Sequence, residues 1–110
     1  NRAVYAKVYT DNGLYGIGES GAWGLLAASG EAIKMFGEYL VGQDPLDIEH
    51  HWQYMYRFSH FRGAAVMGAI SALDEALYDI AFLDIIVVFY ADTAFVALSD
   101  FSCVVLESLE

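Results

Sequence analysis

Residues 16–21, Gly16-Ile17-Gly18-Glu19-Ser20-Gly21, have the G-x-G-x-x-G spacing with which backbone amides close around a pyrophosphate, and Glu38 stands 20 residues after Gly18, where an acid can hold a ribose hydroxyl. The surroundings count against a nucleotide. The strand before the glycines is tied into a tight hairpin, and the helix after them leads to a second capped helix instead of a parallel strand. Close packing of a sheet against helices is the alternative use of the same glycines. Ser20 is no nucleophile elbow, because Gly-Glu-Ser-Gly-Ala lacks the closing glycine of G-x-S-x-G. His50 and His51 are neighbours, about 100° apart on a helix, so they do not share one metal as an i, i+4 pair does. One is expected exposed and the other packed beside Trp52. Asp74, Glu75 and Asp79 crowd one helix, and paired carboxylates with displaced pKa values can act as acid and base. Asp79 follows Glu75 by four residues, however, and a structural role is the stronger reading. His60 and Arg62, near a helix start, can bind a carboxylate or simply be solvated as loop residues.

The elements that must position these groups are legible from their periods. Val4, Ala6 and Val8 alternate with Tyr5, Lys7 and Tyr9, and Asp11-Asn12-Gly13 supplies turn residues that tolerate positive φ, so a hairpin returns through Leu14-Tyr15-Gly16-Ile17-Gly18-Glu19. Leu25, Leu26, Ala32, Ile33, Phe36 and Leu40 keep helical spacing over about 23–40, closed by Gly42. Asp44 and Pro45 predict the cap and first turn of a second helix carrying Ile48, Trp52 and Met55 and ending near Phe58. A third helix over 62–80 places Val66, Ile70, Leu73, Leu77 and Ile80 on one face, flanked by Ala65, Gly68, Ala69, Ala72 and Ala76, which let another backbone come close. The fold class read from this order is α+β: an antiparallel β-meander followed by a bundle of three helices, with Trp52, Met55, Ile70, Leu73 and Leu77 in the shared core.

With 110 residues and a formal net charge of −10, from 15 acidic and 5 basic side chains, one small domain is expected. Nucleic acid and anionic membrane are poor partners for it. Cys103 is the only cysteine, which excludes an intrachain disulfide and fits a cytoplasmic setting, and no signal peptide is visible. The apolar excess lies after Ile80. Asp84, Asp92 and Asp100 interrupt it, each at a cost of roughly 2.5–3.5 kcal/mol in mid-bilayer, so it is read as buried strands and not as a membrane span.

The wording RGAAVMGAISALDEALYDI at 62–80, with LYGIGES at 14–20 and YLVGQDP at 39–45, resembles the N-terminal capping domain of the enolase superfamily. Within it, the sequence is most similar to the mandelate racemase-like branch and its acid-sugar dehydratases. The resemblance covers residues 1–80, the proposed capping domain, and leaves 81–110 as an unassigned apolar, strand-like tail. It implies a sheet strand before Asn1, whose loss leaves an edge open, and a catalytic (β/α) barrel that is absent or only fragmentary here. VVFYADT and SCVVLE read like pieces of barrel strand, although a natural tail in place of the barrel stays open. An open edge and an uncovered tail would favour association of the isolated chain.

The activity implied is Mg²⁺-dependent removal of the proton α to a carboxylate, giving an enediolate that loses its 3-hydroxyl to form a 2-keto-3-deoxy acid. Racemase, cycloisomerase and a non-catalytic α+β interaction module are the alternatives. The Mg²⁺ ligands and the base belong to barrel strands, so no catalytic or metal-binding residue is assigned; Asp84, Asp92, Asp100, Glu107 and Glu110 are too closely spaced for that role. The cap loops carry the substrate contacts by resemblance: Arg2 before the hairpin, then Ser20 and Trp23 after it, with His60 and Arg62 as further polar candidates. A small sugar acid and a second copy of the chain are the implied partners.

Overall fold

The computed structural model describes residues 3–11, 13–58, 60–90 and 101–106. Strand β1 (Val4–Thr10) runs into β2 (Tyr15–Ser20), then come helices α1 (Leu26–Leu40), α2 (Ile48–Arg57) and α3 (Ala64–Tyr90), and strand β3 (Phe101–Leu106) ends the order. The hairpin closes as its turn residues require: the Gly13 N–H returns to the Thr10 carbonyl at 3.2 Å, the Thr10 N–H reaches Leu14 O at 2.9 Å, and Gly13 has φ +88°. Val4, Ala6 and Val8 are fully buried beneath the helices, as the alternation predicts. On the outer face, the Lys7 ammonium lies 4.1 Å from the Tyr15 ring centre and 4.8 Å from that of Tyr9.

Helix α3 lies directly on β2, and the two run antiparallel in matched steps. Gly16 faces Ala76, Gly18 faces Ala72 and Ser20 faces Gly68. Two strand residues advance roughly 6.6 Å and four helical residues about 6 Å, so each second position on the strand meets each fourth on the helix. A Cβ on Gly18 would lie 2.6 Å from the carbonyl carbon of Ala72, and one on Gly16 2.9 Å from that of Ala76. The first two glycines of the G-x-G-x-x-G word, Gly16 and Gly18, are therefore used for close packing of sheet on helix, the alternative raised by the hairpin context.

The core lies between this sheet face and α1 and α3, with Ile33, Phe36, Leu40, Met55, Ile70, Leu73, Leu77 and Ile80 at its centre. Trp52, expected in the core, packs against its margin, partly buried and stacked on Tyr56 with ring centres 4.9 Å apart. Helix α2 starts three positions later than Asp44 and Pro45 suggest. Asp44 Oδ1 instead accepts the Leu46 N–H at 2.9 Å, so its side chain satisfies the turn before the helix. Gly42, at φ +82°, follows α1 as expected.

Two expectations for the tail are corrected. Residues 81–90, read as strand, continue α3, which reaches 27 residues. No glycine or proline follows Gly68 to stop it, and extending an existing helix through Val and Ile costs only a few tenths of a kcal/mol per residue, far less than a new nucleus. The sheet edge expected to stand open is occupied: β3 pairs antiparallel with β1, Tyr5 opposite Leu106 and Thr10 opposite Phe101, giving the strand order β2-β1-β3. Residues 102–106 of SCVVLE thus lie in an antiparallel strand, Glu107 being outside the described residues, and the open-edge argument for association loses its basis on that side. No helix among the described residues is long and apolar enough to cross a membrane.

Candidate functional site

Two loops leave the same end of the domain, because the first turns of α3 rest on the end of β2: Gly68 adjoins Ser20, Ala22 and Ser29. The β2–α1 loop is a compact bend in which the Trp23 N–H returns to Gly21 O at 2.8 Å and the Leu25 N–H to Ala22 O at 3.0 Å, with Gly24 at φ +81°. Ala22 tucks inward and Trp23 projects outward, 91% exposed. In the α2–α3 loop His60 and Arg62 are exposed and Phe61 is 85% exposed. The Arg62 guanidinium lies over the Tyr56 ring at 4.2 Å, and its Nη1 donates to Tyr56 O at 2.9 Å. This guanidinium is therefore held against α2, with an aromatic stack beneath it.

Of the sequence-derived candidates, Trp23, His60 and Arg62 lie on these two loops. Ser20 is placed below them: it is 2% exposed, and its hydroxyl lies 2.6 Å from that of Ser29. Arg2 lies outside the described residues. Phe61 was missed by sequence reasoning; the available signal was a large apolar side chain inside a short polar linker.

Two acids of the α3 trio, Glu75 and Asp79, serve the edge of the sheet. Glu75 Oε2 accepts the Glu19 N–H at 3.0 Å and Asp79 Oδ2 accepts the Ile17 N–H at 3.2 Å, so two outward-facing amides of edge strand β2 are satisfied from one helix face. The i, i+4 spacing of these acids fits because the amides they cap are two strand residues apart. Asp74 points elsewhere. Partial burial raises its pKa above 3.8, with Glu49 and Glu75 adding repulsion. A raised carboxyl pKa means that the folded state keeps a proton which the unfolded chain releases, so Asp74 costs stability as pH climbs through that interval. Asp74→Asn should raise the melting temperature near pH 7 by an amount corresponding to about 0.2–1 kcal/mol for a solvent-screened charge. The gain should shrink as pH falls toward 4, and a gain independent of pH would contradict this account.

His51 is fully enclosed beside exposed His50. Its Nε2 donates to Asp44 O at 2.6 Å and its Nδ1 accepts from the Tyr39 hydroxyl at 3.0 Å, tying α2 to α1 and to the loop between them. Its ring centre lies 5.6 Å from that of Tyr39 and 5.9 Å from that of His50. Burial, with Tyr54 and Asp47 nearby, raises the Tyr39 pKa above 10.0 and keeps the phenol a donor. Among the described residues no three His, Cys, Asp or Glu are gathered to hold a metal ion. The arrangement offers two aromatic groups, a guanidinium and the His60 imidazole at one end of the domain, which can cover and orient a ligand.

The model of the mandelate racemase / muconate lactonizing enzyme N-terminal domain matches residues 1–82. The chain belongs to this family. Among mandelate racemase / muconate lactonizing enzyme relatives, D-galactonate dehydratase of Cronobacter sakazakii is 42% identical over 80 residues, 72% of this chain and 21% of that protein. D-galactonate dehydratase of Variovorax paradoxus matches with the same identity and coverage. The chain spans about a fifth of the length of these curated relatives. A solved structure from Salmonella enterica serovar Typhimurium, described as a dehydratase protein, superposes with a TM-score of 0.63 at 28% identity, covering 76% of this chain and 28% of that one. A Zymomonas mobilis structure, also described as a dehydratase, shares the fold with a TM-score of 0.65 at 23% identity over 76% of this chain and 27% of its own. The capping-domain resemblance of the sequence and the α+β fold agree with this family assignment.

Proposed function

We propose that this chain is the substrate-capping part of an acid-sugar dehydratase that converts an aldonic acid of the D-galactonate type to a 2-keto-3-deoxy acid. The observation that carries the reading is the 42% identity over 80 residues to D-galactonate dehydratases, in a chain whose residues 1–82 match the N-terminal domain of the family. In this reading the cap excludes water and contacts the distal part of the sugar acid, with Trp23 as a wall and Arg2, His60 and Arg62 as polar contacts. Proton removal α to the carboxylate and loss of the 3-hydroxyl are carried out by groups in the length of enzyme that this chain does not span. Mg²⁺ enters this reading as a requirement of the whole enzyme.

The test is an assay of the full enzyme for 2-keto-3-deoxy acid from a panel of aldonic and aldaric acids, before and after exhaustive chelation. Product should form from at least one acid, disappear on chelation and return with Mg²⁺. Turnover that survives complete removal of divalent metal would overturn the reading.

A further inference from the structure

We propose that Ser29 and Gly68 are positioning residues for the Trp23 loop, acting through Ser20 as a buried latch; the functional part of this inference rests on the proposed role of the loop as a substrate cap. Ser20 ends β2 and Ser29 lies in the first turn of α1, so their hydroxyls join the two ends of the loop that carries Trp23. They lie 2.6 Å apart, and the side chains are 2% and 0% exposed. Ser20 Oγ also lies 3.4 Å from the Ala22 N–H, inside the loop. Each hydroxyl can donate and accept, so one proton between the oxygens leaves the Ser20 lone pairs free to accept from Ala22.

Gly68 closes the latch from the third side. A Cβ there would lie 2.6 Å from Ser20 Oγ, 3.0 Å from the Ala22 Cβ and 3.3 Å from Ser29 Oγ, so the absence of a side chain lets α3 seal the hydroxyl pair from water. The pair is thus enclosed by the strand, α1 and α3, while Trp23, one residue beyond Ala22, is almost wholly exposed. An exposed ring has no packing of its own to fix it, so its placement depends on the backbone beneath. The latch holds that backbone. Buried hydrogen-bonded groups of this kind specify one arrangement because losing a partner leaves the other unsatisfied in a dry site.

The experiment is amide hydrogen exchange on the full chain, comparing wild type with Ser29→Ala, Ser29→Cys and Gly68→Ala. Exchange at Trp23 and Leu25, whose amides close the loop, should accelerate at least tenfold in Ser29→Ala and Gly68→Ala and less in Ser29→Cys, which keeps a weak donor. Leu73 and Leu77 in α3 should change far less. Equal acceleration at all four positions, or none at Trp23 and Leu25, would overturn the latch. In the full enzyme, Ser29→Ala should shift preference among sugar acids in the same direction as Trp23→Ala. A loosened loop with unaltered preference, where Trp23→Ala does alter it, would overturn the positioning role. If Trp23→Ala itself leaves preference unchanged, the capping reading fails, while the exchange result still decides the latch because it requires no substrate.

Discussion

Gly18→Ala should destabilise the domain by about 3 kcal/mol or more, at or beyond the upper end of what overpacking a core usually costs. The added Cβ would meet backbone, 2.6 Å from the Ala72 carbonyl carbon and 3.0 Å from its Cα, and backbone cannot rotate away as a side chain can. Relief requires α3 to lift from β2, which would draw Glu75 from the Glu19 amide and Asp79 from the Ile17 amide and open the packing of Leu73 and Leu77. Two other glycines calibrate the result. Gly21→Ala meets nothing within 4 Å and has no positive φ, so it should change stability by no more than about 0.5 kcal/mol. Gly13→Ala also meets nothing, but φ +88° should cost it roughly 1–2 kcal/mol. Thermal or urea unfolding of the three variants should therefore rank Gly18 well below Gly13 and Gly13 below Gly21. Equal midpoints for Gly18→Ala and Gly21→Ala would mean that the helix does not rest on the strand as described.

The parts of this fold that are legible in the sequence are those set by local period. Val4, Ala6 and Val8 face inward because a strand alternates, and Ile70, Leu73 and Leu77 because a helix repeats; neither inference requires knowledge of the partner surface. Gly16 and Gly18 announce a close approach, and the hairpin before them and the second helix after α1 separate a helix from a phosphate as the approaching group. What local pattern does not carry is competition between elements. Val and Ile after Ile80 favour a strand taken alone, yet they follow a helix with no stop signal and α3 runs through them. Asp44 is a sound helix cap by type, but the buried turn at Pro45 and the bond from His51 to the Asp44 carbonyl engage it before the helix begins. The candidate site divides in the same way. Trp23 is a candidate through the resemblance, which places it in the loop after the hairpin, whereas the pairing of Ser20 with Ser29 depends on α1 turning back over β2, which no period encodes.

In the full enzyme, Trp23→Ala should lower kcat/KM for the preferred sugar acid by roughly 5- to 150-fold, about 1–3 kcal/mol, while leaving the concentration of Mg²⁺ needed for half activity nearly unchanged. The reasoning is positional. Trp23 is 91% exposed on a loop whose backbone is closed by two hydrogen bonds, so a large ring is presented without packing of its own in this domain. A ring of this size gains most when something covers it, and a bound substrate under a closing cap would do so. Contacts to the distal part of a substrate discriminate between acids through the hydroxyl configuration they meet, so the loss should be uneven across an aldonic and aldaric panel. Arg2→Ala should alter the ranking of carboxylate-bearing substrates in the same assay if it contacts the sugar acid. Phe61, 85% exposed on the neighbouring loop at the same end, supplies the comparison: Phe61→Ala should share the pattern if both loops meet the substrate, and a change confined to Trp23 would restrict the cap contact to one loop. Equal losses across every acid, together with a lowered melting temperature, would assign Trp23 to stability of the cap and remove it from substrate selection.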